Sequence, residues 1–160
     1  ISYQTPILSS SELENAFDQI ELLGFPLCNP FHLLKEKFSN PMRAKQLKQF
    51  VGKNITIEGY LVTTKRTSTS RGKQMYFGNF LDYDGNFIDT VHFPPIVKRF
   101  PFRGKGIYKI MGKVTEEFDC LNIDVVKMER LHIVEDPRYA DSRTAHKIHA
   151  VKKRIREKSI

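Results

Sequence analysis

Two periods divide the chain. Leu13, Phe17, Ile20 and Leu23 recur at three- and four-residue steps, whereas Ile55, Ile57, Gly59 and Leu61 alternate with Thr56, Glu58 and Tyr60. The first spacing gathers apolar side chains on one face of a helix, and the second gathers them on one face of a strand. The helical stretch has two candidate starts, Ser9 with Glu12 and Ser11 with Glu14, both at capping-box spacing, and Gly24 is a natural stop. Asn29-Pro30 can open a second helix carrying Phe31, Leu34 and Phe38, and a third short one fits Met42 to Val51, with Leu47 and Phe50 packing and Gly52 ending it.

From Asn54 onward the pattern predicts strands. The first fades at Thr63-Thr64 and gives way to Lys65-Arg66-Thr67-Ser68-Thr69-Ser70-Arg71-Gly72-Lys73, read as a loop because it contains no apolar side chain. A second strand runs from Gln74 to Leu81, the 82–86 stretch is a tight turn, and Phe87 to Phe93 makes a third strand. Ile96 to Phe100 is a short helix, and Gly106 to Val114 is a fourth strand. Thr115-Glu116-Glu117 is the next turn. A fifth strand spans Phe118 to Ile133, with a bulge between Val125 and Met128. Five strands with a short helix between the third and fourth is the order of an OB-fold barrel, and Gly59 suits the bend such a barrel needs. The expected fold is therefore mainly β: a five-stranded OB-fold barrel, a helical N-terminal segment and a basic C-terminal helix over Ser142 to Ile160.

Charge sharpens this picture. The 160 residues carry 26 Lys and Arg against 18 Asp and Glu, a net +8. Residues 1–41 hold five acidic and two basic side chains, a balance of −3, which leaves +11 for the rest. The break predicts a helical linker segment over 1–41, an OB-fold nucleic-acid-binding domain over 42–137 and a basic helical tail over 138–160. A basic domain favours a polyanionic partner. With 12 Phe and 6 Tyr there is ample apolar material for a core, so the chain is not disordered throughout. No apolar run approaches the ~18 residues of a membrane span, so no membrane partner and a cytoplasmic location are expected. The chain opens on Ile1 rather than Met, which suggests a piece of a longer protein.

Catalysis finds little support. Asp82, Asp84, Asp89, Asp119 and Asp124 are the carboxylates from which a metal site would be drawn, but Asp82 and Asp84 flank a turn that accounts for them. His92 reads as a packed residue, His146 and His149 lack a third ligand, and Cys28 and Cys120 read as small hydrophobes. No catalytic or metal-binding residue is assigned, and no cofactor is expected for this chain itself.

Binding finds more. Lys65, Arg66, Arg71 and Lys73 can neutralise phosphates beside a barrel face, and Lys98, Arg99, Arg103 and Lys105 form a second basic group around the connection from strand three to strand four. Strand two puts Met75, Phe77, Asn79 and Leu81 on one side and Tyr76, Gly78, Phe80 and Asp82 on the other. An outward aromatic there can stack on a base. Alternation does not say which side is outward, so Tyr76 and Phe77 are both candidates. Gln46-Leu47-Lys48-Gln49-Phe50 loosely matches a clamp-docking peptide, but Gln49 stands where an apolar residue is wanted, and Leu47 and Phe50 fit better as a face packing on the barrel.

Several of these segments together resemble the C-terminal OB-fold region of the bacterial DNA polymerase III α (polymerase) subunit. Ala16-Phe17-Asp18-Gln19-Ile20-Glu21-Leu22-Leu23-Gly24-Phe25-Pro26-Leu27 is similar to the helix and turn before that family's OB domain. Val51-Gly52-Lys53 with the Gly59–Arg66 stretch resembles its first OB strand, and Met75–Asp82 with Gly85 and Asp89–Pro94 resembles the next two. Asp136-Pro137-Arg138-Tyr139 is similar to the end of one branch of the family. The resemblance covers about residues 12–139 and implies a parent that extends DNA by nucleotidyl transfer with Mg²⁺, its catalytic carboxylates lying in an upstream palm domain. It implies single-stranded DNA and the rest of the α subunit as partners, with the sliding clamp or clamp-loader components as further ones. Phe77-x-x-Phe80-x-Asp82-x-x-Gly85 is also similar to the anticodon-binding OB domains of some aminoacyl-tRNA synthetases, which implies that Phe77 is the base-facing aromatic. The leading expectation is a module that binds single-stranded template DNA. A tRNA-binding module and a protein-interaction scaffold are the alternatives, and an independent small nuclease comes last.

Overall fold

The structure is a computed structural model that describes residues 11–36 and 40–137. The chain divides into two compact units, Ile1–Cys28 with Val134–Ile160, and Asn29–Ile133. In the first, helix α1 spans Glu12–Leu23. Ser11 is its N-cap: the Ser11 hydroxyl accepts from the Glu14 amide at 3.2 Å, and the Glu14 carboxylate accepts from the Ser11 amide at 2.8 Å. Gly24 ends the helix in the left-handed conformation, φ 81°. Ser11 with Glu14 is thus the capping pair actually used.

The second unit is the barrel. Its strands are β1 (Asn54–Ser68), β2 (Gln74–Leu81), β3 (Phe87–His92), β4 (Ile107–Glu117) and β5 (Cys120–Arg130), with helix α2 (Pro94–Arg99) between β3 and β4. They close in the order β1-β2-β3-β5-β4. β3 and β5 run parallel and every other pair is antiparallel, which is the OB-fold arrangement.

The closure turns on β1. Its first half pairs with β4 and its second half with β2, and Tyr60 sits opposite both Leu81 and Ile107. At Gly59 a Cβ would lie 2.8 Å from the Cβ of Phe80, so the missing side chain lets β1 fold over β2 at the bend. Val62, just beyond, is bulged between Leu61 and Thr63. The bulge expected in β5 is present at Val126, opposite the step from Met111 to Gly112.

Alternating side chains fill the interior: Ile57, Phe80, Ile88, Ile110, Val114 and Ile123 are fully buried. Burying each such side chain contributes about 1.5–3 kcal/mol. Phe102 closes one end, its ring centroid 4.6 Å from His92, 5.9 Å from Tyr76 and 6.3 Å from both Phe80 and Tyr108. Phe31, Tyr60 and Ile107 form a second cluster with Leu34, Tyr83 and Ile133. Asp82 ties the β2–β3 turn together. Its Oδ1 accepts from the amides of Asp84 and Asn86 at 3.0 and 2.8 Å, and its Oδ2 accepts from the Ala44 amide at 2.9 Å.

Several local expectations are corrected. The helix opened by Asn29-Pro30 is a single 3-10 turn, Pro30–Leu33, after which Leu34 bridges to Ile133. The Met42–Val51 helix is a 3-10 helix over Ala44–Phe50. Leu47 is buried in the barrel core and Phe50 packs against that core, as the face-packing reading of the clamp-like peptide expects. Helix α2 begins at Pro94 rather than Ile96, because proline suits the first helical turn. β4 continues through Glu117, so Thr115-Glu116-Glu117 is strand and the turn lies at Phe118-Asp119. Cys28 and Cys120 are exposed rather than packed as small hydrophobes. The expected tail helix, with Arg138, Tyr139, His146 and His149, falls outside the described residues. No helix among the described residues is long and apolar enough to cross a membrane.

Candidate nucleic-acid interface

The first four residues of the polar run after Thr64, Lys65 to Ser68, continue β1 as strand, and only 69–73 form the loop. Lys65 pairs with Phe77, Arg66 with Tyr76, Thr67 with Met75 and Ser68 with Gln74. A strand extending past the barrel rim has no core to cover on either face, so it needs no apolar alternation and sequence periodicity goes silent there. The hairpin tip is tied by Gly72 N–H to the Thr69 carbonyl at 2.9 Å and Thr69 N–H to the Lys73 carbonyl at 2.8 Å. Gly72 takes φ 71°, the left-handed residue that such a type I turn with a bulge requires.

Residues opposite one another share a face. Thr63, Lys65, Phe77 and Asn79 therefore point outward, while Arg66 and Tyr76 belong to the side that continues into the barrel. The Tyr76 ring meets Phe102, whereas Phe77 is 40% exposed, so Phe77 is the outward aromatic of β2. On the other side of the hairpin a cleft of about 850 Å³ opens toward α2, lined by Arg71, Lys73, Gln74, Pro94, Pro95 and Lys98.

The eight candidate cations are all exposed but are not all in one place. Arg71, Lys73 and Lys98 share the cleft, and Lys65 stands beside Phe77. The Arg99 guanidinium lies over the Phe100 ring, 5.7 Å from its centroid. Lys105 donates from Nζ to the carbonyl of bulged Val62, and its own carbonyl accepts from Arg130 Nη2 at 2.6 Å. Arg103 gives its amide to the Tyr108 hydroxyl at 2.9 Å. The connection holding Arg103 and Lys105 thus braces the barrel beside β1.

Sequence reasoning missed two features of this surface and one at the β4–β5 tip. Phe87 is 67% exposed and pairs with Leu81, so it stands on the same outer face as Phe77. Asn79 and Asp89 are directly opposed on that face, and the Asn79 amide donates to Asp89 Oδ1. Phe118, at the β4–β5 tip, is 99% exposed. Alternation in β3 puts Phe87 and Asp89 on one side, but placing them beside Phe77 requires the β2–β3 register.

The carboxylates do not converge. Asp82 serves its turn, Asp84 is 3.2 Å from Arg43 Nε, and Asp89 is held by Asn79. Burial, followed by the nearby Glu117, pushes the Asp124 carboxyl up, against a hydrogen bond from Thr115 and the charge of Lys113. Among the described residues no group of three or more His, Cys, Asp or Glu could hold a metal ion. His92 is fully buried, its Nε2 2.9 Å from the Thr90 hydroxyl, and burial lowers its pKa to about 4.

No protein-family model matches the chain, and no curated protein matches it in sequence. Among solved structures it is similar to the second OB-fold domain of replication protein A from Methanococcus maripaludis, at 19% identity and TM-score 0.44, over 59% of this chain and 99% of that one. It is similar to the protein PriB from Ralstonia solanacearum at 10% identity and TM-score 0.42, over 49% of this chain and 97% of that one. It is also similar to single-stranded DNA binding protein from Thermus aquaticus at 10% identity and TM-score 0.45, over 51% of this chain and 41% of that one.

Proposed function

We propose that this chain is a non-catalytic module that binds single-stranded nucleic acid along the outer face of β2 and β3, with the β1–β2 hairpin neutralising the phosphates. The observation that carries this reading is the direct opposition of Lys65 and Phe77 on the outer face, one able to meet a phosphate and the other a base. A single strand offers both at once, whereas a duplex hides the base faces. Arg71, Lys73 and Lys98 extend the positive surface around the hairpin tip.

The finer proposal is that the module belongs to a bacterial DNA polymerase III α subunit and holds template near the active site during replication. It rests on the resemblance over about residues 12–139. Nucleotidyl transfer and its Mg²⁺ would then belong to the upstream part of the parent, and the clamp or clamp loader would be reached through other segments, since Leu47 is buried here.

Fluorescence anisotropy with single-stranded DNA, duplex DNA and tRNA over a salt series tests the reading. The expected result is salt-steep binding that favours single strands, weakened about tenfold or more by Phe77→Ala. A strong preference for tRNA would favour the anticodon-type module. No binding to any of the three at low salt would favour a protein-interaction scaffold.

A further inference from the structure

The outer face is not uniformly basic. Thr63, Asn79, Asp89 and Asn122 lie in line across β1, β2, β3 and β5, because the registers place Thr63 opposite Asn79, Asn79 opposite Asp89, and Asp89 opposite Asn122. This polar stripe runs between two exposed aromatics. Phe77 lies two residues from Asn79 along β2, and Phe87 lies two residues from Asp89 along β3. Two residues of strand rise about 6.6–6.8 Å. The two aromatics are two such steps apart, about 13 Å along the strands, or roughly four times the 3.4 Å rise of stacked nucleotides, so a single strand engaging both has room to present a base edge to the stripe between them.

A carboxylate at the centre of such a face excludes one partner and selects another. Asp89 repels phosphate, so what meets it from a bound strand is a base. It can only accept hydrogen bonds. Asn79 donates to Oδ1, and no described residue donates to Oδ2. Guanine presents two adjacent donors on its Watson–Crick edge, N1–H and N2–H. Cytosine and adenine present one exocyclic amino group each. Thymine presents one N–H between two carbonyl oxygens, which the carboxylate repels.

We infer that this face reads base identity, with Asp89 as the specificity-determining residue that favours guanine, then amino-bearing cytosine and adenine, over thymine. The inference rests on the single-strand reading above and adds a preference that a purely basic, aromatic groove would lack. Asn79 is the positioning residue that orients the carboxylate.

The test is anisotropy at fixed salt with three 15-mers: oligo-dT, oligo-dC, and a dT strand carrying dG at every third position. The expected order is dG-containing, then dC, then dT, with about fivefold or more between the first and last. Asp89→Asn keeps the size and the acceptor oxygen but removes the charge. It is expected to collapse the preference, the dG-containing strand losing its advantage over dT. Equal affinity of the natural chain for all three strands would overturn the inference and leave the binding reading standing, as would a preference that survives Asp89→Asn. No binding to any strand would overturn both.

Discussion

The β1–β2 and β4–β5 hairpins both project past the body of the barrel, and they differ in almost everything except architecture. The first carries Lys65, Arg66, Arg71 and Lys73, while the second carries Glu116, Glu117 and Asp119. The first turns through Gly72 in the left-handed region. The second turns through Phe118 and Asp119, both at positive φ, 51° and 61°, in a two-residue loop where Asn-Gly would be at ease. One tip is polar and unstrained; the other holds a strained, fully exposed phenylalanine among carboxylates. The contrast teaches that the barrel does not choose the side on which a polyanion approaches. On the proposed reading the charges grafted on its hairpins do, and they would direct it to the β1–β2 end and away from β4–β5.

The sharpest way to break the comparison is to erase the basic hairpin. Lys65, Arg66, Arg71 and Lys73 changed together to Ala should flatten the plot of log affinity against log salt by about 2.8, if all four meet phosphates of a single strand. Relative to 1 M salt, where the ionic contribution vanishes, that makes the loss at 0.1 M roughly several hundredfold. An unchanged slope would remove the hairpin from the interface.

The foot of that hairpin is expected to be acid-sensitive. His92 lies opposite Tyr76 and beneath Phe102. Its pKa is lowered from 6.5 to about 4 by burial, so the folded chain refuses a proton that the unfolded chain accepts below pH 6.5. The stability present above pH 6.5 is therefore lost as the pH falls toward 4, by about 3 kcal/mol. Urea unfolding at pH 7 and pH 4 measures this, and His92→Phe should flatten the dependence. An equal fall in that variant would place the acid sensitivity elsewhere.

At the opposite hairpin, Phe118→Asn with Asp119→Gly should raise the stability by about 1 kcal/mol, because the left-handed conformation then suits its residues. A lower denaturation midpoint would mean that Phe118 makes a stabilising contact. The smallest effect concerns charge alone. Glu116→Gln, Glu117→Gln and Asp119→Asn together should tighten single-strand binding only about twofold, since these exposed charges are screened within about 10 Å at 0.1 M salt.

Most of the barrel was legible in the sequence because it is half-buried: Ile55, Ile57 and Leu61, or Ile88 and Thr90, alternate when one face of a strand meets a core. The legible part stops where the core stops. Residues 65–68 continue β1 but bury nothing, so they read as a loop. Phe118 hid its turn because a two-residue loop with two positive φ values advertises itself through Asn or Gly. The basic content of the site was plain from composition. What it faces was not, since the polar stripe and Phe87 exist only through the pairing of β2, β3 and β5. Tyr76 and Phe77 were separable only once Phe102 took up its place at the barrel's end.

The central claim is that the outer β2–β3 face and the β1–β2 hairpin hold a single strand while the β4–β5 tip does not. Titrating the isotopically labelled chain with a dG-containing 15-mer and following backbone amide resonances tests it most directly. The account predicts saturable shifts at Lys65, Arg71, Lys73, Phe77, Asn79 and Asp89, and none at Glu116 to Cys120. Shifts centred on the β4–β5 tip, with residues 65–79 unmoved, would contradict it.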